Sequence, residues 1–329
     1  MKRISLIHRT GDFSLDRNLT DWMKFLCCLM VASHHYAVAA INSGKEVGLL
    51  MKLLSTQGGF LGVSIFFFLS GYGLMYSTLS QELNFKSFIK RRLTKVYLPA
   101  VFISLLWVLI IFFFPTLQDV YFGLTEMVDL SNLPAYLLGV FAFKFCDSVL
   151  WFVKVIFVLY LLLYVYLATR KKRKGMALLT LLIGLICVTI ATYYYIAPFA
   201  SVSIFAFALG ALVAEYKSQV VKIKYWYLSL IVVICALGYF LRCNHLLLHG
   251  LINYCILFLA LFFFSCFDVK CNISSKWVTN LSYDLYLSHN KVKVVMLSVF
   301  PTMNLMTFLL LSVIVAVSLT NIRKFIRLL

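Results

Sequence analysis

Asp21, Lys24 and His35 fall in the first apolar stretch of the chain, DWMKFLCCLMVASHHYAV (21–38). A segment that only anchors a chain in lipid has no use for a carboxylate, an amine and two adjacent imidazoles. At about 100° per residue, the step from Lys24 to His35 is three turns plus about 20°, so the two share one helical face. A rise of about 1.5 Å per residue separates them by about 16 Å. Asp21 lies within about 40° of the same stripe, whereas His34 is turned away by a full residue step. A neutral imidazole accepts a proton, so His35 reads either as a functional base or as a hydrogen-bonded structural histidine. Lys24 reads either as a cationic contact at the entrance of a path or as an amine that snorkels to the interface.

Three further stretches carry groups of the right type. GGFLGVSIFFFLSGYGLMYS (58–77) combines small residues, which permit close helix packing, with the hydroxyls of Ser70 and Tyr72. FIKRRLTKVYLP (88–99) puts Arg92 and Lys95 three apart, a spacing that makes neighbours on a helix. Such a pair suits phosphate, although anionic lipid headgroups account for basic residues at a membrane surface equally well. LSYDLYLSHNKVK (281–293) is the densest cluster, with Tyr286 and His289 among its polar groups. Asp284 and Lys291, seven apart and within about 20° of one face, are expected to neutralise each other, and Ser282 shares the face of His289. A structural hydrogen-bond network between helices is the alternative reading of this cluster.

These residues have to be positioned by membrane helices. The chain has 329 residues, 63% hydrophobic and 13% charged, against roughly half and a quarter in soluble domains. About ten apolar segments reach spanning length: 22–41, 57–79, 96–114, 150–168, 176–195, 197–216, 225–243, 249–267, 279–299 and 303–321. The net charge of +18 would suggest nucleic acid in a soluble protein, but Lys and Arg collect in cytoplasmic loops, and no nucleic-acid partner is expected. An N-in, C-in arrangement puts KSFIKRRLTK (86–95), RKKRK (170–174), KSQVVKIK (217–224), DVKCNISSK (268–276) and RKFIR (323–327) inside. The acidic loop 115–149 then lies outside. The expected architecture is an all-α polytopic membrane protein, with a cytoplasmic leader (1–20), one membrane domain (21–322) and a basic cytoplasmic tail (323–329). The nine cysteines show neither CxxC nor ligand spacing, so no metal is expected. Cys146 and Cys243 fall at outer helix ends, where they either pair or stay as free thiols.

The order of these features resembles the integral-membrane acyltransferase-3 family, whose first helix typically reads Asp-x-x-Arg, then ten residues, then His. Asp21, Lys24 and His35 stand at those positions. FFFLSGYG (66–73) is similar to the family's phenylalanine-rich Ser-Gly stretch, and RLTK (92–95) before Pro99 to its Arg-x-x-Arg. LWFVKVIFVLY (150–160), with Trp151, matches its Trp-Phe helix opening, and SYDLYLSH (282–289) its late Ser-Tyr-x-x-Tyr-Leu-x-His. Lys24 and Lys95 stand where arginine is common; lysine keeps the charge but loses the bidentate fork.

The resemblance implies transfer of an acyl group, most simply acetyl from acetyl-CoA, from the cytoplasm to a hydroxyl of a surface glycan or lipid-linked sugar. The setting it implies is the bacterial cytoplasmic membrane, with membrane lipids as surroundings. In that reading His35 is catalytic, either as general base or as acyl carrier, and Lys24, Arg92 and Lys95 hold CoA. Asp21, Ser70, Tyr72, Trp151, Tyr286 and His289 support the site or bind substrate. Aromatic residues of the outer loop (Tyr121, Phe122, Tyr136, Phe141) either stack on a sugar or form an interfacial belt. The rival function is a proton-coupled transporter or flippase of a glycan precursor, with a proton path through His35, Asp284 and His289.

Overall fold

A computed structural model describes residues 4–8, 11–79, 84–118, 131–145, 147–196, 198–220, 245–300 and 302–328. Among these, eight helical segments are long and apolar enough to cross a membrane. A further helix, Val278–Val299, has the length but carries charge. The expected span at 225–243 lies outside the described residues, as do Tyr121, Phe122 and both Cys146 and Cys243. The chain is a helical, multi-pass membrane protein, and it divides into two compact units.

The first unit comprises 1–27, 56–82 and 179–279. It contains strand β1 (Ile4–His8), the start of helix α1 (Arg17–Asn42), and, after a short helix α2 (Leu49–Leu53) of the other unit, α3 (Gly59–Leu79). β1 pairs antiparallel with Phe267–Cys271, with Ile4 opposite Cys271 and His8 opposite Phe267, so part of the expected leader is held in a two-stranded ribbon. α1 begins at Arg17 rather than Asp21, because the Asp16 carboxylate accepts the Leu19 amide at 2.9 Å and caps its first turn.

The second unit comprises 28–55, 83–178 and 280–329. After α2 it contains α4 (Phe85–Arg92), α5 (Leu98–Phe113), α6 (Leu133–Phe141) and α7 (Trp151–Arg170). The remaining helices in chain order are α8 (Lys174–Tyr195), α9 (Pro198–Ser201), α10 (Ile204–Glu215), α11 (Lys217–Val220), α12 (His245–Cys266), α13 (Val278–Val299) and α14 (Leu305–Leu328). α9 to α12 belong to the first unit, and α14 with nearly all of α13 to the second. Between α4 and α5 the helix widens into a π-turn, Leu93–Tyr97, in which the Leu98 amide reaches back to Leu93 O. Pro99 follows and has no N–H to give an ordinary i→i−4 bond to Lys95. The widened turn departs from the regular spacing assumed for Arg92 and Lys95: Arg92 is half-buried and Lys95 exposed.

Lipid offers no hydrophobic drive between helices, so packing there rests on close approach. α3 and α10 show the device. A Cβ on Gly71 would stand 2.0 Å from the Phe207 carbonyl oxygen, and one on Gly210 2.0 Å from that of Phe68. Ser64 donates to Ser203 at 2.8 Å across the same pair of helices. Gly71→Ala must therefore push two backbones apart, and it should cost about 1–3 kcal/mol, read as a lower unfolding temperature of the detergent-solubilised protein. Gly73→Ala, with nothing within 4 Å, should be tolerated.

Candidate active site

The second unit gathers His34, His35, Tyr286 and His289. The His35 and His289 rings stack with centroids 5.4 Å apart and planes at 30°. His34 lies edge-on to His35 at 5.0 Å and uses Nδ1 on Leu54 O at 3.0 Å, which gives it a structural role. His35 is half-buried, and among the described residues neither of its ring nitrogens has a hydrogen-bond partner.

His289 is fully buried. Its Nδ1 lies 2.7 Å from Tyr286 O and 3.2 Å from Leu285 O. Both are carbonyls, which only accept, so the proton resides on Nδ1. Nε2 then carries a bare lone pair, and among the described residues it has no partner. The backbone of α13 has thus fixed the tautomer of a second imidazole beside the first.

Tyr286 is locked in turn. Its hydroxyl donates to Val149 O, and its ring packs on Phe152 at 5.2 Å and on His289 at 5.9 Å. Tyr283 donates to Val96 O at 2.8 Å. Trp151 opens α7, half-buried and against Phe152.

Sequence spacing misses two residues here. One is Lys293, one turn beyond His289 on the same face, buried and close enough for its charge to act on His34, His35 and His289 alike. Its i+4 spacing from His289 was the available signal. The other is Asp147, distant in sequence and bonded to three groups. Its Oδ1 accepts from Asn290 at 2.8 Å and from the Val149 amide at 3.0 Å, and Oδ2 pairs with Lys291 at 2.5 Å.

The expected Asp284–Lys291 pair is therefore not formed. Lys291 belongs to Asp147, and Asp284 instead accepts from Thr320 at 2.6 Å and pairs with Arg323 at 2.5 Å. Residues seven apart on one helix are about 10 Å apart along its axis, so partners from neighbouring segments win.

The other candidates lie as follows. Arg92 stands over the rings of Phe88 (5.2 Å) and Tyr160 (5.0 Å); among the described residues it has no carboxylate partner and its Nε is unpaired. Asp21, Lys24, Ser70 and Tyr72 belong to the first unit. Asp21 is buried and accepts from Ser275 and Thr279, each at 3.0 Å, with Lys24 at 3.9 Å, so Lys24 has a counter-charge. The Tyr72 hydroxyl accepts the Leu15 amide at 3.0 Å, and Ser70 is half-buried. Of the outer-loop aromatics, Tyr136 is buried and Phe141 exposed. Among the described residues no group of three His, Cys, Asp or Glu is gathered as a metal would require.

A family of membrane proteins described as an acyltransferase domain, acyltransferase-3, matches residues 19–321. The chain belongs to this family. It is an acyltransferase. No curated protein and no solved structure matches the chain.

Burial alone would raise the Asp147 pKa, but the Lys291 ammonium, the Asn290 amide and the Val149 N–H outweigh it and hold the carboxyl below its ordinary value of 3.8. A group depressed in the folded state contributes its full stabilisation above the unfolded value and loses it as the pH falls through the folded one. Asp147→Ala strands Lys291 and should cost about 3–5 kcal/mol at pH 7. Thermal unfolding against pH should show the gap from wild type closing below about pH 4.

Proposed function

We propose that this acyltransferase moves an acyl group, acetyl in the simplest case, from acyl-CoA supplied on the cytoplasmic side to a hydroxyl of a surface glycan or a lipid-linked sugar. The cytoplasmic membrane of a bacterium is the setting that fits such a reaction. The observation that carries the reading is the stacked pair His35–His289. One imidazole is half-open with no hydrogen-bond partner among the described residues, and the other is held in a single tautomer with its lone pair bare.

The chemistry follows from those groups. His35 takes the hydroxyl proton as the oxygen attacks the thioester carbonyl. The new C–O bond forms, negative charge gathers on the carbonyl oxygen, and collapse breaks the C–S bond. The CoA thiolate leaves and recovers a proton from the imidazolium. Lys293 supplies the positive charge that developing oxyanion needs, in a buried setting where such charges act strongly. His289 gives His35 a neighbouring proton acceptor and restricts its ring. Arg92, held by aromatic faces rather than by a carboxylate, and the exposed Lys95 are the cations of this unit suited to CoA phosphates. Lys24, beside Asp21, is less available for that task.

Membranes holding wild type or variants, given radiolabelled acetyl-CoA, provide the test. His35→Ala should lower label transfer to glycan by about 10²–10⁴-fold with folded protein still present. Equal labelling by wild type and His35→Ala would refute the assignment. Lys293→Met should lower turnover by about 10²–10³-fold while leaving donor binding in place. Acetyl-histidine trapped in the absence of acceptor would show that His35 carries the group instead of only moving a proton.

A further inference from the structure

Three helices of the second unit, α5, α13 and α14, leave a slot of about 230 Å³ between them. One end of it, at Ile110, Met296 and Leu311, lies near the helix ends Phe113, Val299 and Leu305. From there it runs to Ile103, Ser288 and Leu319, seven or eight residues along each helix, or about 10–12 Å at about 1.5 Å per residue. Ile103, Trp107 and Leu319 form a buried floor. Leu106, Val295 and Val315 are half-buried, and the slot stays partly open beside them.

The lining is hydrocarbon. The two hydrophilic side chains on the wall have their polar atoms turned to other partners. The Lys291 ammonium pairs with Asp147 and donates to Leu287 O at 3.0 Å, and the Ser288 hydroxyl donates to Asp284 O at 2.8 Å. Buried water needs two to four polar partners, and an apolar cavity of about 150 Å³ stays dry and takes up benzene instead. Walls left without an occupant forfeit their dispersion contacts. The occupant that fits is long, narrow and apolar. It comes from the bilayer rather than from the histidine pair, because Ser288, Lys291 and Val295 are turned from His289 by about 100°, 160° and 120° around α13. Met51 of α2 packs on the same apolar cluster as Met296, Leu311 and Val315. That contact brings to the slot's end a short helix with exposed Leu49, Leu50 and Leu53 and an exposed Lys52. Apolar side chains beside an ammonium suit a lipid phosphate at a membrane surface.

We propose that this slot binds one fatty-acyl tail of a membrane phospholipid, with the lipid phosphate beside α2. The tail packs against α13 and keeps water from the Lys291–Asp147 pair, so the lipid stabilises the helix. The site does not depend on the acyl-transfer assignment of the histidine pair.

Trp107, on the floor, is the reporter. Protein purified in detergent and stripped of lipid is titrated with a phosphatidylcholine that carries one tail dibrominated at mid-chain. The quenching that belongs to Trp107 is the difference between wild type and Trp107→Phe. Saturable quenching is expected, with a matching rise in unfolding temperature. In Val295→Phe and Val315→Phe the added ring occupies the slot, so half-saturation should need about tenfold more lipid, and the unfolding temperature should no longer respond to it. Where a phenylalanine variant does not fold, Val315→Leu decides. Dibrominated diacylglycerol, which lacks the phosphate, should bind more weakly, and His35→Ala should bind as wild type does. Quenching that does not saturate, or that is the same in the filled variants, would overturn the proposal and leave the slot as ordinary lipid-facing surface. Quenching by dibrominated stearoyl-CoA but not by the phospholipid would assign the slot to a donor chain instead. Displacement of the brominated lipid by a polyprenyl phosphate but not by unlabelled phosphatidylcholine would overturn the fatty-acyl class. Diacylglycerol bound as tightly as phosphatidylcholine would overturn the part given to the phosphate.

Discussion

Asp147 is the constraint from which the organisation of the second unit follows. Between Asp284 and Lys293, α13 brings an aspartate, a histidine, an asparagine and two lysines into a region where unpaired polar groups are costly. Such a helix is tolerable only when neighbouring segments supply partners, and Asp147 gives Lys291 a counter-charge and Asn290 a hydrogen-bond acceptor. Seven residues earlier, Asp284 is engaged from α14 by Thr320 and Arg323. Two fixed points on one helix leave little freedom of rotation. His289 lies between them in sequence, and its ring stacks on that of His35.

The same constraint explains why a histidine with an open lone pair persists in a buried place. Removing a single partner from an interior network strands a charge, so the network resists substitution as a unit, and an unpaired atom can be kept where the surrounding bonds over-determine it. Nδ1 of His289 is bound to the carbonyls of its own helix, and the ring is wedged against Tyr286, which is itself held by Val149. These contacts fix both the ring and its tautomer. Lys293 adds a cation to the same face of α13 without any need for loop movement.

The two units answer the demands of a lipid setting differently. In the second, charge pairs and aromatic rings fix the helices. In the first, glycine and serine let α3 and α10 approach until backbone touches backbone, and Asp21 is satisfied by hydroxyls of the segment that opens α13. Lys24 illustrates the result: a cation read as part of an entrance is partly neutralised by the acid one turn before it.

Much of this was legible from the residues alone. Helical spans follow from long apolar runs, since lipid forces every backbone group to bond within its own helix. His35 was distinguished by type and position before any geometry, and the five motif-like stretches foretold the family that matches residues 19–321. Periodicity within one helix, however, reports only which residues share a face. It joined Asp284 to Lys291, whereas the folded chain gives each of them a partner from another segment. It placed Arg92 and Lys95 on a regular turn, whereas Pro99 widens that turn. It had no means of matching Asp147 to Lys291, of assigning the tautomer of His289, or of giving Lys293 a role. Sequence determines what each helix must bury; which charge meets which is settled only when segments far apart in the chain come within hydrogen-bond reach, because that energy depends on distances no spacing rule contains.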